Sequence, residues 1–136
     1  MERRNFIAGS IATAGLGLSG NVALAAAPGL EGSVYFTTNK PGRWAKKAGG
    51  HSPIIETEKT ANGLVAVVRT PHEMTAEHFI VKHVLMDENF NLIGEKVFDP
   101  AKDPAALSSY NVAKASKLYA ISICNKHDTW LSEVTI

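Results

Sequence analysis

The sequence contains one cysteine, Cys124, in 136 residues. A single thiol excludes an intramolecular disulfide, and it excludes zinc or iron–sulfur sites built on several cysteines. A surplus of one charge is also missing. Residues 28–136 carry 12 Lys/Arg and 12 Asp/Glu, so this part of the chain is formally neutral. Nucleic-acid binders concentrate Lys and Arg on one face, and no nucleic-acid partner is expected here. From Pro28 onward there is no 3.6-residue apolar period, no internal repeat and no low-complexity segment.

The first 27 residues have a different character. Met1-Glu2-Arg3-Arg4-Asn5-Phe6-Ile7 is followed by a stretch rich in Gly, Ala, Ser and Leu, and then by Val22-Ala23-Leu24-Ala25-Ala26-Ala27. A charged start, a weakly apolar middle and a small-residue end of A-x-A type are the parts of an export signal. The Arg3-Arg4 pair makes it a signal of twin-arginine type. Residues 1–27 are therefore expected to be an address, cleaved after Ala25 or Ala27, and the protein to be periplasmic or otherwise exported. Twin-arginine routes carry folded proteins, often with a cofactor already inserted. In an oxidising compartment a lone thiol is a hazard unless something occupies it.

The remainder, residues 28–136, reads as one all-β domain. Short β-rich runs occur at Ser33–Thr38, Ser52–Glu58, Leu64–Arg69, Glu77–Met86, Leu92–Phe98, Leu107–Val112, Leu118–Cys124 and Thr129–Ile136. Turn residues such as Asn62-Gly63, Asp87-Glu88-Asn89 and Asp99-Pro100 separate them. Seven to eight short strands at this spacing predict an immunoglobulin-like antiparallel β-sandwich. Thr38–Gly50, with Pro41, Gly42, Gly49 and Gly50, is expected to be a long loop of the kind that carries function or moves.

All five histidines fall in this domain. His51 ends the long loop, His72 follows Pro71 beyond a strand, His78 starts the next strand, and His127 lies in the turn three residues after Cys124. Strand ends and connections are where a sandwich gathers side chains from distant parts of the chain. His83 differs. Period-two alternation along Glu77–Met86 puts His78, Ile80, Lys82 and Val84 on one face and Phe79, Val81, His83 and Leu85 on the other. His83 therefore points away from His78 and is expected to be structural.

Cys124-Asn125-Lys126-His127 is a spacing at which a thiolate and an imidazole reach one ion, and an ion would also protect the thiol. Zinc sites close with four ligands and usually with more thiolate, whereas iron and copper both accept imidazoles with one cysteine. A blue-copper site wants a weak axial Met, but Asp128-Thr129-Trp130-Leu131 follow His127. Four histidines exceed what copper electron transfer needs, and the count favours a five-coordinate centre with one open position. The alternative is an exported metal-binding or electron-transfer sandwich, of iron or cupredoxin-like copper, without substrate turnover.

Three separated runs carry a resemblance. Thr70-Pro71-His72-Glu73-Met74-Thr75-Ala76-Glu77-His78-Phe79-Ile80 resembles the TPHPMTxEHYI stretch of superoxide reductases, the neelaredoxins and the iron domain of desulfoferrodoxin. Ile123-Cys124-Asn125-Lys126-His127-Asp128-Thr129-Trp130 resembles their CNxHGLW turn, and His51-Ser52-Pro53-Ile54-Ile55-Glu56 resembles HVPVIE. The resemblance spans about residues 41–136. It implies one iron (Fe2+/Fe3+) per chain, with His51, His72, His78 and His127 as its equatorial imidazoles and Cys124 as the axial thiolate opposite an open site. It implies one-electron reduction of superoxide to hydrogen peroxide, an external electron donor and homo-oligomers, all on an immunoglobulin-like fold. Two departures stand out. The family's Glu-Lys before the first histidine is Gly49-Gly50 here, which leaves Lys46 and Lys47 in the same loop as candidate cations for drawing superoxide in. The turn's His-Gly is His127-Asp128. The rubredoxin-like module of desulfoferrodoxin, with its four cysteines, is absent.

Overall fold

The computed structural model describes residues 29–136; the export signal expected over residues 1–27 lies outside them. Seven strands follow in chain order: β1 (Ile54–Thr60), β2 (Gly63–Thr70), β3 (Ile80–Asp87), β4 (Leu92–Val97), β5 (Ala106–Val112), β6 (Lys117–Cys124) and β7 (Asp128–Thr135). They form two antiparallel sheets, β1-β2-β5 and β4-β3-β6-β7. This is the predicted β-sandwich.

Alternation explains the core. Along β2, Leu64, Ala66 and Val68 turn inward, and along β6, Leu118 and Ala120 do the same. These residues meet Leu85 and Val112 between the sheets. A second apolar group, Ile80, Phe98, Ala106 and Cys124 with Met74 against it, fills one end of the sandwich. Cys124 is thus the point where the core touches the loops at that end. The β1–β2 hairpin turns at Gly63, whose φ of 152° and close approach to Val112 O leave no room for a Cβ.

Three local expectations are corrected. Ser33–Thr38 is not a strand. It makes only isolated bridges, from Tyr35 to Glu31 and from Phe36 to Trp130, the latter with Phe36 N–H donating to Thr129 O and Leu131 N–H to Phe36 O, each at 2.9 Å. Thr38–Gly50 is not an open loop either, because Gly42–Lys47 forms a 3-10 segment that runs into a single α-turn, Ala48–His51. The strand expected from Glu77 begins at Ile80, because Thr75 and His78 bond each other, with His78 N–H on Thr75 Oγ1 and Thr75 N–H on His78 O, each at 3.1 Å. A register shift against β6 between Ile80 and Lys82 then breaks the alternation. Ile80 and His83, assigned to opposite faces, are therefore both fully buried.

Candidate metal centre

Each of the five residues singled out reaches one point at the end of the sandwich. His51 closes the α-turn ahead of β1. His72 follows β2, with its N–H on Thr70 O at 2.8 Å. His78 sits in the bend before β3, and Cys124 and His127 flank the β6–β7 turn, where Cys124 pairs with Asp128. Asn125 stitches that turn to the His78 segment. Its Oδ1 accepts from Phe79 N–H at 3.0 Å and its amide donates to Glu77 O at 3.0 Å.

Donor atoms of His51, His72, His78 and Cys124 all lie within 4.8 Å of one another. His127 joins them through Nδ1, which is 3.1 Å from His51 Nε2, 3.0 Å from His78 Nε2 and 3.6 Å from Cys124 Sγ. His72 Nε2 is 3.0 Å from His78 Nε2, and the His51 and His72 rings meet edge to face at 4.5 Å. The nitrogens therefore run around a four-sided figure in the order His51, His127, His78, His72. Three of its sides measure 3.0–3.1 Å, and a square of that side would have its centre about 2.1 Å from each corner, a metal–imidazole bonding distance. Cys124 Sγ lies 3.8 Å from His72 Nε2 and 3.6 Å from His127 Nδ1. These are opposite corners, so the sulfur stands over the square and not in it.

The outer ring nitrogens fix the tautomers. His51 Nδ1–H donates to Lys47 O at 2.9 Å and His72 Nδ1–H to Glu73 O at 2.5 Å. A carbonyl can only accept, so both Nε2 atoms present lone pairs inward. The Glu73 carboxylate takes His78 Nδ1–H at 3.2 Å, turning a third lone pair the same way. Lone pairs converging at 3.0 Å repel one another unless a cation lies among them. Burial pushes the His51 pKa down to about 4, and its imidazole neighbours add to the effect. Burial likewise lowers His72 and His127, with the charge of Lys47 contributing to both. Neutral imidazole is the ligand form, so the donor set is built for a metal ion.

Residues 42–133 match the desulfoferrodoxin family. The chain belongs to that family. Superoxide reductases of Thermococcus kodakarensis and Pyrococcus abyssi are each 36% identical to it over 112 residues, covering 73% of this chain and 96% of theirs. The solved structure of a superoxide reductase (neelaredoxin) from Ignicoccus hospitalis superposes with a TM-score of 0.61 at 30% identity, covering 77% of this chain and 95% of that one.

Against this desulfoferrodoxin frame, the Gly49-Gly50 departure is not forced by space. A Cβ on Gly49 would meet nothing within 4 Å, and one on Gly50 only Pro71 O at 3.6 Å. Of the two lysines, Lys47 reaches the cluster, through its carbonyl to His51 and its charge on His72 and His127. Lys46 is an exposed neighbour one residue earlier. His83 lies in the core, away from the cluster. Its Nε2 is 2.8 Å from Thr70 Oγ1 and its Nδ1 2.9 Å from Ser108 Oγ.

Sequence reasoning missed Glu73, Trp44 and Asn125. Glu73 occupies the place of the family's proline between the two histidines, and that exchange was the available signal. A carboxylate behind a ligand imidazole orients it and makes it more basic. Glu73→Gln is expected to lower metal affinity about tenfold without changing the melting temperature, as read by competition with a chromophoric chelator. Unchanged affinity would leave Glu73 a surface residue.

Proposed function

We propose that this desulfoferrodoxin-family chain reduces superoxide to hydrogen peroxide at a single iron held by His51, His72, His78, His127 and Cys124. The observation that carries this assignment is the convergence of four imidazole nitrogens, three of them presenting lone pairs inward, with one thiol standing over them. The balance is one superoxide, one electron and two protons per hydrogen peroxide. Iron held by these five residues would supply the one-electron ferrous/ferric chemistry, with an external donor restoring the ferrous state.

The chain's own residues do the rest. Burial keeps His51, His72 and His127 neutral at pH 7 and so available as ligands. Cys124, 4% exposed among Ile80, Phe98 and Ala106, offers a sulfur donor shielded from water. Lys126 N–H points at that sulfur from 3.4 Å and helps fix its position. Lys47 supplies positive charge at the mouth and raises the capture rate of an anionic substrate; Lys46 adds to the same field from farther out. With no lysine at Gly50, water delivers the protons. We further propose that residues 1–27 export the folded protein and that the chain assembles into homo-oligomers.

Metal analysis and stopped-flow superoxide decay on the purified protein test this assignment. About one iron per chain and rapid consumption of superoxide are expected. Lys47→Ala should slow capture several-fold at low salt and Gly50→Lys should speed it, both effects fading as salt screens them. Copper in place of iron, or iron without superoxide consumption, would overturn the proposal.

A further inference from the structure

Asp128 has an unusual backbone. Its φ of 64° lies in the left-handed region, which glycine enters freely and Asp enters at some cost. The CNxHGLW turn of the family has glycine at this place. A side chain kept there against local strain points to something it holds.

What it holds is the segment leading to His51. Asp128 Oδ2 accepts from Arg43 Nη2 at 2.5 Å and from Trp44 Nε1 at 2.8 Å, across 85 and 84 residues of sequence. Both donors belong to Gly42–Lys47, which has no side-chain cap at its start and a non-helical Trp44 inside it (φ −105°, ψ 31°). The α-turn after it, Ala48-Gly49-Gly50-His51, contains two glycines, which are poor helix formers. Local propensity does not hold this stretch in place, so tertiary bonds must. Trp44 also packs edge-on against the His127 ring at 4.7 Å, and the Arg43 guanidinium lies over Phe36 at 4.9 Å.

We infer that Asp128 is a latch, its carboxylate joining the turn that carries His127 to the segment that carries Lys47 and His51. It is a positioning residue. The latched segment sets the Lys47 carbonyl that orients His51 Nδ1–H, and it keeps the Lys47 charge at the cluster. In a chain without the family's Glu-Lys, the approach to the site is organised by this latch.

The consequence for the metal rests on the proposed iron site, but the latch itself does not. The test therefore has two readouts on the metal-loaded protein. Trypsin cuts after Arg43, Lys46 and Lys47 only when the segment opens, and the rate follows the open population. Asp128→Gly relieves the backbone strain while removing the carboxylate, so the melting temperature should hold. Nicking between residues 43 and 48 should rise about tenfold, the worth of one net hydrogen bond, and iron loss to a chelator should accelerate with it. Asp128→Asn, whose amide oxygen still accepts from Trp44, should restore most of the protection. Trp44→Phe, which keeps the ring and loses the donor, gives an independent increase if Asp128→Gly folds poorly. Wild-type nicking rates in both Asp128→Gly and Trp44→Phe would overturn the latch. Faster nicking with unchanged metal loss would overturn its service to His51. A metal other than iron would defeat the proposed function and leave the nicking result standing.

Discussion

Cys124→Ala is expected to abolish the thiolate-to-iron band of the oxidised protein and to slow superoxide consumption by at least about a hundredfold, the upper end of what loss of an outer-sphere partner already costs. The expectation follows from where the sulfur sits. Cys124 is the one donor drawn from a strand, and it stands over the nitrogen ring at 3.6 and 3.8 Å from two opposite corners. Removing it takes away the charge that balances the ion and leaves four neutral imidazoles. Alanine is the cleaner exchange because the thiol packs against Ile80, Phe98 and Ala106. A serine hydroxyl left without a partner in that apolar group would cost about 1–3 kcal/mol of its own. Visible spectroscopy, metal analysis and stopped-flow decay on one preparation separate loss of metal from loss of the thiolate. A Cys124→Ala protein that kept the band and the rate would remove the thiolate from the site.

The second large effect lies in the core. His83 is fully buried, and burial, helped by the nearby Lys96 charge, lowers its pKa to about 4. It is neutral in the folded protein at pH 7 and shares its two ring nitrogens with the Thr70 and Ser108 hydroxyls. In the unfolded chain it returns to an ordinary value near 6.5. Between those two values the unfolded state binds the extra proton, so stability rises with pH across this window and falls as pH drops from 6.5 toward 4. The full difference is about 3 kcal/mol. His83→Gln should be less stable at pH 7 but should lose about 2 kcal/mol less between pH 7 and pH 4.5. Denaturant unfolding of both proteins at pH 7 and pH 4.5 measures this, and histidines common to both cancel in the comparison. Parallel pH profiles for wild type and variant would contradict a neutral buried His83.

The clustering of the candidate donors was legible in the sequence because they occupy short motifs: a Pro before His72, a fixed step to His78, and a Cys and a His three apart. Most strands were legible for a similar reason. β-branched runs bounded by Asn-Gly or Asp-rich turns carry their own signal, as in β2 after Asn62-Gly63 and β3 before Asp87-Glu88-Asn89. What was not legible depends on partners far away in the chain. Phe36 is extended only because Trp130 offers it a backbone to bridge. Gly42–His51 is helical despite its glycines because Asp128, more than 80 residues later, holds two of its side chains. Ile80 and His83 both face inward because a bulge against β6 resets the alternation, and a single strand's sequence does not announce its partner's register. The Glu73 bond to His78 was visible only as a departure from a motif, and its meaning needed the distance.

The donors are spread from residue 51 to residue 127, so two of the nitrogens in contact are 76 positions apart. A half-folded chain can assemble only local pairs, His72 with His78 six residues apart and Cys124 with His127 three apart. The complete set exists only once β1 and β7 have both docked. An ion that binds the finished arrangement and not the open chain shifts the folding balance toward the native state by mass action. It thus serves as a cross-link in a domain that has no second cysteine to make one. Metal occupancy, read from colour alone, would then report whether a given molecule has finished folding.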